Sequence, residues 1–233
     1  MRPLNASVRP MKSLITLLLV ASASLCSSDA QARLPVITIS YNAAMDAQCA
    51  LDRGVSIRDE WKAELQSRRA EFDNLWRTLE PTLVEAAETI TGKAFSGDRI
   101  TARLTLCELP SQSSDGIIIN MRYALKSFTP TPVPLRYKAD TLFHELLHVF
   151  LNEHPVKVSA LLELNKSEPE RTRDHLHLLA LQKAVLLKLN EPEALKDVVT
   201  IDSQLPGGYY KRAWEIVNAT GDEYLKYVAE ISR

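Results

Sequence analysis

The chain has 233 residues, 45% hydrophobic and 24% charged, and its 28 basic and 29 acidic side chains leave a formal net charge of −1. That is the composition of an ordinary globular protein, neither disordered nor fibrous. It offers no basic footprint for nucleic acid and no block of like charge suited to an anionic membrane surface.

Residues 1–32 read as a secretory signal peptide. Arg2, Arg9 and Lys12 form a positive start, Leu14 to Leu25 an apolar run, and Ala30-Gln31-Ala32 a small-x-small cleavage site. The apolar run is shorter than the roughly 20 residues a membrane-spanning helix needs. Cys26 follows the bulky Leu25, which is ill suited to lipoprotein processing. Residues 33–233 are therefore expected to form one exported domain, periplasmic or secreted, with no membrane span in the mature chain. That domain keeps Cys49 and Cys107, which an oxidising compartment would allow to pair, the alternative being two small buried thiols.

Along the chain, Val36 to Tyr41 alternates as a strand does. From about Ser56 to Leu79, Ile57, Trp61, Leu65, Phe72, Leu75, Trp76 and Leu79 recur at helical spacing. Pro81 is expected to break or restart that helix, and Gly92 to close it. Ile100 to Leu106 and Gly116 to Met121 read as strands flanking a turn-rich loop, and the prolines of Thr129 to Pro134 force an extended connector. A helix starting near Tyr137 or Asp140, with Asp140-Thr141 as acceptors at its start, runs to about Asn152. A short helix near 158–164, a longer one over 170–189, and two more near 210–218 and 222–231 complete the pattern. The order implies an α+β fold, a small sheet followed by a mainly helical half.

All five histidines lie between positions 144 and 177, and His144-Glu145-Leu146-Leu147-His148 reads H-E-x-x-H. Residues four apart on a helix share a face, so His144 and His148 can hold one Zn²⁺ while Glu145 reaches its water as general base. Leu142, Phe143, Leu146, Leu147, Val149, Phe150 and Leu151 make the helix almost wholly apolar. It should be buried, and its polar groups then need partners.

A catalytic zinc needs a third ligand. His154 has the spacing found in metzincins, but Leu151 stands where those enzymes turn on glycine. On or before a downstream helix the candidates are Glu163, Glu168, Glu170, His175 and His177. Two residues apart on one helix, His175 and His177 point to different sides. His177 shares its face with Ala180 and Ala184, which would let the helix approach the motif closely, whereas His175 lies with Leu178, Leu179 and Gln182 on an ordinary core face. His177 is favoured, with His175, His154 and Glu163 as alternatives.

Through the residues His144 to His148 the chain resembles the H-E-x-x-H zinc metallopeptidases, the zincins. In layout it resembles gluzincin-like members, whose third ligand sits on a later helix. The resemblance implies a zincin-like fold with the motif helix buried, Zn²⁺ as cofactor, and hydrolysis of peptide or protein substrates. It also implies an edge strand, here Gly116 to Met121, that pairs with extended substrate. Tyr123, Tyr209 and Tyr210 are candidates to stabilise the oxyanion, or else anchor helices. A second reading is a non-enzymatic binding domain that keeps the zincin scaffold and its metal.

Overall fold

The computed structural model describes residues 35–96, 99–114 and 116–233. The residues read as a signal peptide, Cys26 among them, lie outside the described range. Three strands, β1 (Val36–Tyr41), β2 (Arg99–Thr105) and β3 (Ile117–Asn120), form a parallel sheet in the order β1-β2-β3. Val36 pairs with Arg99 and Ala102 with Ile117. Nine α-helices are described: α1 (Ala43–Arg53), α2 (Asp59–Thr91), α3 (Leu135–Glu153), α4 (Ala160–Leu164), α5 (Glu170–Asp174), α6 (Leu176–Lys188), α7 (Pro192–Asp202), α8 (Tyr209–Val217) and α9 (Glu223–Ile231). This is an α+β architecture, mostly helical. Among the described residues no helix is long and apolar enough to cross a membrane.

The 33-residue α2 runs straight through Pro81 instead of breaking there. Proline forfeits one backbone hydrogen bond. Buried Trp76, Leu83, Val84 and Ala87 on either side hold the helix to the core and outweigh that loss. From α2, Arg69 Nη2 donates to the Ile39 carbonyl at 2.9 Å, and Glu80 hydrogen-bonds the Ile37 backbone. Side chains of α2 thus satisfy backbone groups of the outer strand β1, which would otherwise invite pairing with another chain.

Helix α1 carries no long apolar stripe. Asn42 caps it by accepting from the Met45 N–H at 2.9 Å, and Gly54 closes it in the left-handed region. Its buried Asp46 accepts from the backbone N–H groups of Leu106 and Cys107 at 3.1 and 3.2 Å, and from the Tyr41 and Thr105 hydroxyls. One turn on, Cys49 is disulfide-bonded to Cys107, with Cα atoms 6.2 Å apart. The start of the β2–β3 loop is thereby tied to α1. Asn120 Nδ2 donates to the carbonyls of Cys107 and Leu109 at 3.1 and 2.6 Å, bracing the same loop from β3.

The loop then folds back on the sheet. Gln112 and Ile118 exchange backbone hydrogen bonds of 3.0 and 2.8 Å in an antiparallel bridge. β3 is the expected edge strand, but it is buried throughout and at Ile118 its outer edge is taken by its own chain.

Helix α3 starts at Leu135, directly after the proline connector. Asp140 is not its cap. It lies within the helix, almost fully buried, and accepts from Arg136 Nε one turn back at 3.2 Å. Burial raises its carboxyl to about 6 despite that arginine. The single helix expected over 170–189 is two, α5 and α6, broken at His175 (φ −95°, ψ −8°). Helix α6 is apolar on every side and buried along most of its length.

Candidate metal centre

The break at His175 decides which histidines meet. Ligand-capable nitrogens of His144, His148 and His175 lie within 4.8 Å of one another, and they are the cluster among the described residues suited to an ion. Ring centroids are 5.0 Å apart for His144–His148, 5.5 Å for His144–His175 and 5.1 Å for His148–His175. His144 and His148 stand one above the other on α3, as the i, i+4 spacing dictates. His175 comes from the α5–α6 junction rather than from a helix face, so a helical wheel drawn through it misjudges its direction.

His177, the favoured third ligand in the sequence, is elsewhere. It is 6% exposed, and its Nε2 lies 2.8 Å from Glu230 Oε2 on α9, with the Tyr227 ring 5.4 Å away. Glu230 also accepts from the Ser159 hydroxyl at 2.5 Å, which ties α4, α6 and α9 together. Helix α9 is the neighbour α6 meets most extensively, and His177 points to it. His154 caps the end of α3, its Nε2 2.8 Å from the Ala94 carbonyl. Glu163 is exposed and paired with Lys166 at 2.6 Å, Glu168 with Arg212 at 2.7 Å, and Glu170 is exposed at the start of α5.

Partners orient two of the three rings. His144 Nδ1 is 3.2 Å from Gln182 Oε1, and Gln182 Nε2 donates to the Asp140 carbonyl at 3.3 Å. An amide so engaged presents oxygen to the ring, so His144 carries its proton on Nδ1 and keeps a lone pair on Nε2. His175 Nδ1 is 2.6 Å from the Arg171 carbonyl, which fixes the same tautomer. Such partners are what a metal-binding imidazole requires. Burial, and then the neighbouring histidines, hold His144 well below its ordinary pKa and His148 down to about 4; burial also lowers His175. All three are neutral at pH 7 and ready to donate a lone pair.

Glu145 is 3% exposed, and burial pushes its carboxyl up to about 8, with a hydrogen bond from Ser113 working the other way. Ser113 belongs to the folded-back loop, so the sheet edge reaches the motif helix through this contact. Tyr210, on the first turn of α8, places its hydroxyl 3.3 Å from His144 Nε2 and its ring 4.6 Å from His175. The phenol is thus aimed at the lone pair a metal would take. Tyr209 packs on Tyr210 (4.6 Å) and His175 (5.6 Å). Gly207 (φ +88°) permits this, since a Cβ there would lie 3.3 Å from the Tyr209 ring. Tyr123 is 50% exposed against Phe128 and takes no part.

Behind Tyr210 lies a buried carboxylate. Asp202, at the end of α7, accepts from the Tyr137 hydroxyl at 2.8 Å and from Trp214 Nε1 at 3.0 Å. Burial raises it to about 6, and buried Lys138 beside it is lowered to about 8.

Ser113, Gln182, Asp202 and the Arg171 carbonyl escape motif reading. A buried glutamine in an apolar helix was a signal for one of them, because buried amides need partners.

Three imidazoles with ligand-capable nitrogens within 4.8 Å of one another fit a divalent transition metal, whose Zn–N distances of about 2.0–2.1 Å place ligand atoms roughly 3.3 Å apart in a tetrahedral site. No family model matches the chain, and searches of curated proteins and of solved structures return no significant match.

Proposed function

We propose that the chain is an exported zinc-dependent metallopeptidase with a zincin-like fold, acting on peptide or protein substrates. The observation that carries the reading is the meeting of His144, His148 and His175 beside a buried Glu145 on the same helix turn. The all-imidazole donor set suits zinc, as it does copper, iron and nickel, and the adjacent Glu145 favours zinc through the H-E-x-x-H resemblance. The sheet preceding the motif helix and a third ligand beyond it support the gluzincin-like reading, from which a histidine at a helix junction, in place of a glutamate on the later helix, is a departure. The Cys49–Cys107 bridge accords with export.

His144, His148 and His175 would hold the ion. When bound, zinc supplies Lewis acidity and makes a water ionisable near neutral pH. The ion's charge beside Glu145 would offset its burial and favour the carboxylate, which would take a proton from a water held there. The hydroxyl oxygen would join the carbonyl carbon, Glu145 would pass the proton to the departing nitrogen, and the C–N bond would break. Ser113 steadies the Glu145 carboxyl, and the Tyr210 phenol donates to the carbonyl oxygen as charge builds there. Burial keeps Tyr210 protonated, so it acts as a donor.

The test is a broad peptide screen of purified protein with zinc and with chelator, alongside Glu145→Gln. Hydrolysis should require metal and vanish in Glu145→Gln while zinc content stays equal. Equal cleavage by that variant would overturn the catalytic assignment. Metal binding with no cleavage of any peptide would favour a non-enzymatic binding domain.

A further inference from the structure

Beside the trio opens a cleft of about 690 Å³, within the range of roughly 300–1,000 Å³ typical of ligand sites. Its walls include Glu168, Glu170 and Arg171 on one side and Pro206, Tyr209 and Arg212 on the other. It adjoins the candidate metal centre through two contacts. The Arg171 carbonyl is 2.6 Å from His175 Nδ1, and the Tyr209 ring is 5.6 Å from the His175 ring. Whatever sits against Arg171 and Tyr209 is one side chain away from His175.

The charges of the walls are unevenly matched. Arg212 gives Glu168 two hydrogen bonds, of 2.7 and 3.1 Å, and a third of 3.2 Å to Glu215, so these groups satisfy one another. Arg171 has no ion pair among the described residues. Its guanidinium lies over the Tyr209 ring, 5.7 Å from the centroid. An aromatic face orients a guanidinium while leaving its N–H edge available, and that edge matches a carboxylate with two parallel hydrogen bonds. Glu170 is the competing charge. It too lacks an ion pair and, like Arg171, is exposed, but it touches neither Tyr209 nor His175 among the described contacts.

We infer that this cleft is a substrate subsite for an acidic side chain of the peptide, and that Arg171 determines the selectivity. The inference rests on the peptidase reading above, and its test keeps the two separable. Arg171 also holds His175, but through its main-chain carbonyl. Replacing the side chain removes the guanidinium and keeps that acceptor, so zinc content of Arg171→Gln and Arg171→Glu should equal that of the parent.

Fluorogenic peptides carrying Glu, Gln or Lys at each position around the cleaved bond are compared by kcat/KM. At one position Glu should exceed its isostere Gln about tenfold, as a charge-assisted hydrogen bond implies. Arg171→Gln should abolish that ratio, and Arg171→Glu should shift preference to Lys. The same labelled peptides are titrated into zinc-loaded Glu145→Gln protein, with and without Arg171→Gln, and binding is read by anisotropy. Arg171-dependent binding of Glu peptides, together with no cleavage of any peptide by the zinc-loaded parent protein, would end the peptidase reading and leave the cleft assignment standing. Equal rates for Glu and Gln at every position, a preference for Lys, a Glu preference that survives Arg171→Gln, or neither cleavage nor binding would overturn it.

Discussion

Replacing Glu145 with glutamine should stabilise the chelator-treated protein at alkaline pH. Burial raises this carboxyl from the usual 4.5 to about 8. Between those two values the folded chain binds a proton that the unfolded chain does not. Stability therefore falls as pH rises, beginning near 4.5 and ending near 8. At about 1.4 kcal/mol for each tenfold change in the proton equilibrium, the ceiling is about 5 kcal/mol. Glutamine is uncharged, still offers Ser113 an acceptor, and has nearly the same volume. The histidine trio titrates in the opposite sense, because lowered folded pKa values withdraw stability as pH drops from 6.5 towards 4. That term is common to both proteins and cancels in their difference. Urea denaturation with chelator at pH 4.5, 7 and 9 measures the difference. It should be near zero at pH 4.5 and grow to several kcal/mol at pH 9. A difference independent of pH, or a variant less stable at pH 9, would refute the claim that Glu145 is held against its charge.

Other outcomes follow from neighbouring contacts. His175→Ala should lose the bound metal, whereas His177→Ala should keep full stoichiometry and instead lower stability by removing the partner of Glu230; metal analysis and denaturation separate the two. Gln182→Leu should weaken zinc binding about 10–100-fold in chelator competition, because the His144 ring loses its orienting acceptor. Cys49→Ala should cost about 4 kcal/mol of stability, the chain-entropy value for a bridge spanning 58 residues, seen as a lower urea midpoint.

Much of the fold was legible locally. The strand at Val36 to Tyr41, the helical spacing from Trp61 to Leu79 and the buried motif helix all follow from periodicity, and each appears. Helix α1 left no such trace, since only Asp46 and Cys49 of its residues are buried, and a disulfide and a carboxylate replace the usual apolar stripe. Pro81 misled because its penalty is local while the burial that outweighs it is tertiary. In the site, His144 and His148 were readable because one helix fixes their relation. The third histidine was not, because its direction depends on a break between α5 and α6 that composition does not announce. The face read as close-packing carries His177, and His177 meets α9. Gln182 lay on the face grouped with His175, and that face is the one meeting α3.

The two hydrogen bonds of Asp202 have a reach beyond its own surroundings. Through Tyr137 it grips the rod that bears His144, and through Trp214 the rod that bears Tyr210, each one or two turns from the residue in question. The helices carrying the phenol and the imidazole are thus linked from inside the protein, by a carboxylate that is almost fully buried. A change at position 202 would therefore act on both at once, without altering a single group of the histidine trio.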